Sequence, residues 1–167
     1  MGCASNPFAS CSDQGPCSEG MIRFEATSFT MGEQHANQPW HEQAHPVEVD
    51  AFCMDVYEYP NQEGEMPLFE ISWVDAEAAC KAEGKRLCSS SEWELACRGT
   101  TQRRYSYGSE RDASRCNTPI EGSGPGQGPI PLQPIGSFSD CVSEDGIHDL
   151  NGSLSEWVSD PWDGPPP

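Results

Sequence analysis

The stretch Gly84-Lys85-Arg86-Leu87-Cys88-Ser89-Ser90-Ser91-Glu92-Trp93-Glu94-Leu95-Ala96-Cys97-Arg98-Gly99 sets a helix between its own start and stop signals. Ser89 can accept a hydrogen bond from the amide three residues on, and Glu92 can reach back to the Ser89 amide, which is the reciprocal pattern of a capping box. Trp93, Ala96 and Cys97 then share one helical face. Gly99 supplies the left-handed residue that ends the helix. The same grammar holds upstream: Ser72 with Asp75 opens a segment in which Trp73, Ala76 and Cys80 share a face, and Gly84 stops it. Two short helices joined by Lys85-Arg86-Leu87-Cys88 are therefore expected. Each turns a cysteine inward, either as a small core residue or as half of a disulfide.

Away from this centre the helical period gives way to short apolar stretches. Met21-Ile22-Arg23-Phe24, Phe29-Thr30-Met31-Gly32 and the alternating Val47-Glu48-Val49-Asp50-Ala51-Phe52 read as strands. The polar segment from Gly32 to Pro46 reads as a long loop. Its His35, His41 and His45 have irregular spacing that matches no usual zinc pattern, and they read as surface or loop-packing side chains rather than ligands. Residues 122–134 are rich in Gly and Pro and must be loop. Only Ile135-Gly136-Ser137-Phe138 hints at a further short strand. Residues 1–20, mostly Ser, Gly, Pro and Cys, are expected to form a tethered or disordered segment pinned by one local disulfide, with residues 21–167 as the domain.

Composition fits that outline. In 167 residues, only 35% hydrophobic but with 16 Gly and 15 Pro, a single loop-rich domain is favoured over a helical bundle. The 27 acidic residues outnumber nine basic ones, for a formal charge of −18. Such a surface repels phosphate backbones and anionic lipid, so nucleic acid is excluded as an expected partner. Nine cysteines without paired CxxC spacing point to an oxidising, extracytoplasmic compartment rather than a zinc ribbon. Because nine is odd, at least one thiol must be free or paired outside the chain. No apolar run approaches a membrane span, and no basic segment followed by an apolar one marks an export signal, which is expected to lie outside this sequence. Gly2-Cys3 is a candidate remnant of a lipoprotein processing site.

Five ordered blocks carry a more specific message. Phe52-Cys53-Met54-Asp55-Val56-Tyr57-Glu58-Tyr59-Pro60-Asn61 resembles the aromatic-x-Met-Asp-x-Tyr-Glu-Val-Thr-Asn signature of the formylglycine-generating, or sulfatase-modifying factor, family. Ile71-Ser72-Trp73-Val74-Asp75-Ala76 is similar to its Val-Ser-Trp-x-Asp-Ala helix start. The block from Gly84 to Gly99 resembles its Gly-Lys-Arg-Leu-Pro-Thr-Glu-Ala-Glu-Trp-Glu-x-Ala-x-Arg-Gly motif, with Cys88 in place of proline. Pro134-Ile135-Gly136-Ser137-Phe138 and Gly152-Ser153-Leu154-Ser155-Glu156-Trp157 are similar to Pro-Val-Gly-Ser-Phe and Gly-Asn-Val-Trp-Glu-Trp. Two departures stand out: Ser155 occupies a usual tryptophan position, and Tyr105-Ser106-Tyr107-Gly108 replaces Tyr-Pro-Trp-Gly.

The resemblance implies an α+β, irregular, loop-rich fold of the C-type-lectin-like kind, with two short helices, short strands and structural calcium. It implies that Asp149, Gly152, Leu154 and Glu156 hold Ca²⁺ through two carboxylates and two backbone carbonyls, hard oxygen ligands of the type this ion takes. Asn117 and Thr118 match the start of a second calcium site. Cys116 and Cys141 match a pair found in bacterial members, and a disulfide there would stabilise by about 3 kcal/mol on the chain-entropy model. Family oxidases convert a cysteine of a client sulfatase peptide to formylglycine, using O₂ and Cu(I) bound by two cysteines in a carboxy-terminal Arg-Gly-Gly-Ser-containing stretch. That stretch is not in this sequence, and the family cysteines matching Cys80 and Cys97 pair with partners there. The expectation is therefore a truncated member, inactive as given, whose full-length parent would bind Cu(I). A non-catalytic peptide- or surface-binding module is the alternative. The chain holds no nucleophile elbow, phosphate loop or His-Glu-x-x-His helix to supply a different catalytic set.

Overall fold

The computed structural model describes residues 6–8, 10–12, 16–33, 43–118 and 131–161. Eight short strands and two helices run in the order β1 (Asn6–Phe8), β2 (Ser10–Ser12), β3 (Met21–Phe24), β4 (Thr27–Met31), β5 (His45–Val49), β6 (Phe52–Asp55), α1 (Trp73–Ala82), β7 (Arg86–Leu87), α2 (Ser90–Arg98) and β8 (Glu156–Trp157). A four-stranded antiparallel sheet has the order β3-β6-β2-β7, β4 and β5 form a hairpin, and β1 lies parallel to β8. This is the expected small, loop-rich α+β architecture.

Both helices begin and end where their caps require. Ser89 and Glu92 form the full reciprocal box on α2. On α1 the Asp75 amide donates to Ser72 Oγ at 3.2 Å, but the Ser72 hydroxyl turns to the Asp75 carboxylate at 2.6 Å. Aspartate is one methylene shorter than glutamate, so α1 keeps only half of the box. Gly84 and Gly99 both have positive φ, +71° and +65°.

Three expectations need correction. The 47–52 stretch is not one strand: Asp50 and Ala51 separate β5 from β6, which enter different sheets. Residues 135–138 form a turn, because Gly136 at φ +73° breaks extension; Ile135 instead exchanges backbone bonds with Gly64 and Glu65 at 3.0 and 2.8 Å. The amino-terminal segment is not held by a local disulfide. Ser10–Ser12 is an inner strand between β6 and β7, Cys11 bonds to Cys88 across 77 residues, and Cys17 bonds to Cys53 across 36.

The main core gathers Phe24, Phe29, Met31, Val49, Phe52, Met54, Leu95, Ala96, Ile147 and Leu150, with Phe24 and Phe52 stacked at 4.7 Å. A second cluster joins Ala76, Cys80 and Leu87 to Tyr59, Ile71 and Trp73. With so few ladder bonds, charged side chains tie the pieces together. Lys85 Nζ donates to both Asp55 oxygens at 3.0 and 2.8 Å, and Arg86 grips Glu92 with two bonds at 2.8 and 2.6 Å. Glu94 Oε1 accepts from the Gly32 amide and Arg98, while Arg98 donates to the Gly32 carbonyl, clasping α2 to the end of β4.

The Asp55 side chain is 1% exposed and that of Lys85 15%. Removing one member of a buried pair strands the other charge, which costs about 3–5 kcal/mol, whereas an exposed helical pair contributes only about 0.3–0.5 kcal/mol. Lys85→Met should therefore lose most of that larger amount in urea unfolding. Lys81→Met, which removes the solvent-facing Glu77 pair, should leave the midpoint nearly unchanged.

Candidate acidic turn site

The turn from Asp149 to Glu156 is shaped by its backbone. Asp149, Gly152 and Ser153 all have positive φ, at 60°, 84° and 60°. A side chain at Gly152 would place its Cβ 2.3 Å from the Asn117 carbonyl oxygen, so only glycine allows residues 117–118 to approach this closely. The Asn117 carbonyl in turn accepts from the Ser153 amide at 2.9 Å. The structure thus brings Asn117 and Thr118 against the second half of the 149–156 turn, although the two sets were read as separate sites.

Two carboxylates enter this region from the turn itself. Asp149 is buried and accepts from the Gly136 amide at 2.8 Å; burial pushes its carboxyl up despite that bond. Glu156 is half-buried as a residue, but its carboxyl group lies deep and accepts a bond from the Trp93 indole. Burial first, then the like charges of Glu58 and Asp149, hold it well above the ordinary carboxylate range, with Trp93 opposing. Glu58, 5% exposed, and Trp93 were not read as site residues. Glu58 sits within the Tyr-Glu signature, and a tryptophan on a helix face turned inward needs an acceptor for its N–H, which was the available signal.

Among the described residues no three His, Cys, Asp or Glu side chains converge to hold a metal ion. Any cation here would rest on the Asp149 and Glu156 carboxylates completed by carbonyls, the hard-oxygen set suited to Ca²⁺. The turn fits such an ion in one physical respect: both carboxyl groups are buried, and a buried carboxylate is relieved by a nearby positive charge. Of the three histidines between Gly32 and Pro46, His35 and His41 lie outside the described residues; His45 is in β5, its Nδ1 3.0 Å from the Gln43 carbonyl.

The cysteines sort cleanly. Cys116 and Cys141 are bonded, their Cα atoms 4.8 Å apart, closing the loop that precedes the turn. Cys97 is itself in a disulfide, which corrects the expectation that it awaits a partner beyond the chain. Cys80 is the free thiol among the described residues, buried with its Sγ 3.4 Å from Ser10 Oγ, and burial pushes it up.

The close approach at Gly152 yields a direct comparison. Gly152→Ala combines a left-handed backbone with overpacking and should destabilise by about 2–5 kcal/mol, whereas Gly84→Ala, where the new methyl meets open space, should cost only the backbone part, about 1–2 kcal/mol. Chemical unfolding of the two variants side by side reads the difference.

Comparison with known proteins gives these features a context. A stretch of 105 residues is 34% identical to the formylglycine-generating enzyme of Thermomonospora curvata, covering 58% of this chain and 34% of that enzyme. The bovine protein named inactive C-alpha-formylglycine-generating enzyme 2 is 32% identical over 107 residues, covering 57% and 33%. A serine/threonine-protein kinase of Chlamydia caviae is 33% identical over 99 residues, 59% of this chain but 14% of the kinase. The matched region thus spans about a third or less of each of these relatives. The model of the sulfatase-modifying factor enzyme 1-like domain matches residues 58–165, which hold the helices, the Cys116–Cys141 loop and the acidic turn, and the chain belongs to this family.

Proposed function

We propose that this chain is a calcium-braced scaffold region of a formylglycine-generating type of protein, whose longer parent oxidises a cysteine in a client peptide, and that this stretch does not carry out the oxidation. The state of the cysteines argues against oxidation by this stretch. Eight of the nine fall among the described residues; seven of these are in disulfides and the eighth, Cys80, is buried. Cu(I) is a soft ion that takes thiolate ligands, and neighbouring thiolates must be free to bind it. The described residues do not fit that ion, and no step through copper is assigned to them.

Calcium is different. Asp149 and Glu156, with the Gly152 and Leu154 carbonyls, are the proposed ligands, and Asn117 and Thr118 are proposed to contribute to a neighbouring site. Bound calcium would neutralise the buried acids and fix the turn against α2; its role would be structural. The lectin-like reading of the fold agrees with its two helices, short strands and long connections. The disulfides support an oxidising, extracytoplasmic location. No helix among the described residues is long and apolar enough to cross a membrane.

A second reading, a non-catalytic module for a peptide or surface partner, is favoured by one finding. A related stretch occurs within a protein named as a kinase, and another in a relative named inactive. The scaffold is therefore not tied to one activity.

The test is an oxidation assay on the purified, oxidised chain, supplied with Cu(I), O₂ and a peptide bearing one cysteine. Aldehyde formation, trapped with a hydrazide and read by mass spectrometry, should not exceed that of peptide alone. Copper-dependent aldehyde above that background would contradict the scaffold reading.

A further inference from the structure

The large apolar side chains left in solvent are not scattered over the surface. Among the described residues they are Met66, Leu68, Phe69, Val74 and Trp157, which are 47, 38, 48, 66 and 42% exposed. All five lie at one junction. The 66–69 run leads into α1, Val74 is in the first turn of that helix, and Trp157 of β8 and the next residue, Val158, are each bonded to the start of the same segment. Trp157 Nε1 donates to the Ile71 carbonyl at 2.9 Å, and Trp73 Nε1 donates to the Val158 carbonyl at 2.8 Å. Buried Pro67 and the Leu68 amide, which donates to the Tyr59 carbonyl at 3.1 Å, hold the run in place. Single exposed apolar residues are ordinary, whereas a concentrated and rigidly held group marks an interaction surface.

The charge around this surface is one-sided. Between Asn61 and Ala79 there are five carboxylates, those of Glu63, Glu65, Glu70, Asp75 and Glu77, and no lysine or arginine. Glu77 is engaged by Lys81 at 2.9 Å, while Glu65, Glu70 and Asp75 are exposed beside the apolar side chains. We propose that this patch docks a cationic amphipathic peptide segment, its apolar side chains seated among Leu68, Phe69, Val74 and Trp157 and its lysines or arginines on the rim carboxylates. A second copy of the chain fits poorly, because a two-fold contact would set one acidic rim against another on a chain of charge −18. The proposal rests on reading the chain as a polypeptide-handling domain, but it does not depend on the oxidation or on calcium.

The test uses three short labelled peptides without cysteine: one alternating Leu and Phe with Arg, one with Glu replacing each Arg, and one with Ser replacing each apolar residue. Fluorescence anisotropy against the full oxidised chain should show binding of the first alone, weakening as salt is raised. The exposed double substitution Phe69→Ser and Val74→Ser should weaken it by about tenfold or more, as loss of interface anchors does, with no loss of thermal stability. Glu65→Gln with Glu70→Gln should weaken it and flatten the salt dependence. Equal binding of the Glu peptide would overturn the proposal, as would failure of the folded wild-type chain to bind the Arg peptide. So would a dimer in sedimentation that Val74→Ser dissolves, which would assign the patch to a second copy. Since none of the peptides can be oxidised to an aldehyde, the outcome is read separately from that of the oxidation assay.

Discussion

Lys85 and Arg86, consecutive residues at the start of the edge strand β7, each deliver a positive charge into a carboxylate grip, and these two pairs set where β6, β7 and α2 meet. Lys85 reaches Asp55 at the end of β6, and Arg86 reaches Glu92 in the first turn of α2. Burial works against both members of the first pair, yet Asp55 and Glu83 together hold the Lys85 ammonium above its ordinary range. A two-residue strand offers almost no ladder of its own. The ion pairs, together with the Cys11–Cys88 bond, fix where the sheet, α1 and α2 meet.

The same device recurs wherever regular structure is thin. Three indole N–H groups act as long-range ties: Trp73 to the Val158 carbonyl, Trp157 to the Ile71 carbonyl, and Trp93 to the Glu156 carboxylate. Asn61 accepts from the Tyr57 amide while donating to Asp55 and to the Gly20 carbonyl, so one amide side chain closes a turn and anchors it to the sheet. Buried polar groups carry a heavy desolvation cost unless satisfied, which makes each tie specific as well as stabilising. The motifs shared with the family are largely these joints: their residues pair with one another across the chain rather than lining a single cleft.

Local signals in the sequence marked both helices, because caps and stops are chemical features of a few adjacent residues. The strands β3 and β4 were legible as the short apolar stretches Met21–Phe24 and Phe29–Met31. Where the reading failed, a non-local partner decided the outcome. Ser10–Ser12 carries little apolar signal and becomes an inner strand because β6, β7 and the Cys11–Cys88 disulfide hold it. Residues 47–52 alternate as one strand would, yet they divide between two sheets at Asp50 and Ala51. In the acidic turn, Asp149, Gly152 and Glu156 could be named from the motif, but the contact of Gly152 with Asn117 and the insertion of Glu156 against Trp93 and Glu58 arise from tertiary packing. No spacing in the sequence encodes them.

We propose that a divalent cation would close the buried acids of the 149–156 turn and hold the turn to α2. Thermal unfolding of the oxidised chain with and without Ca²⁺, beside Glu156→Ala, tests it most directly. Calcium should raise the Tm of the wild-type chain, and the variant should lose that rise. A cooperative transition indifferent to calcium, or an equal rise in both proteins, would contradict it.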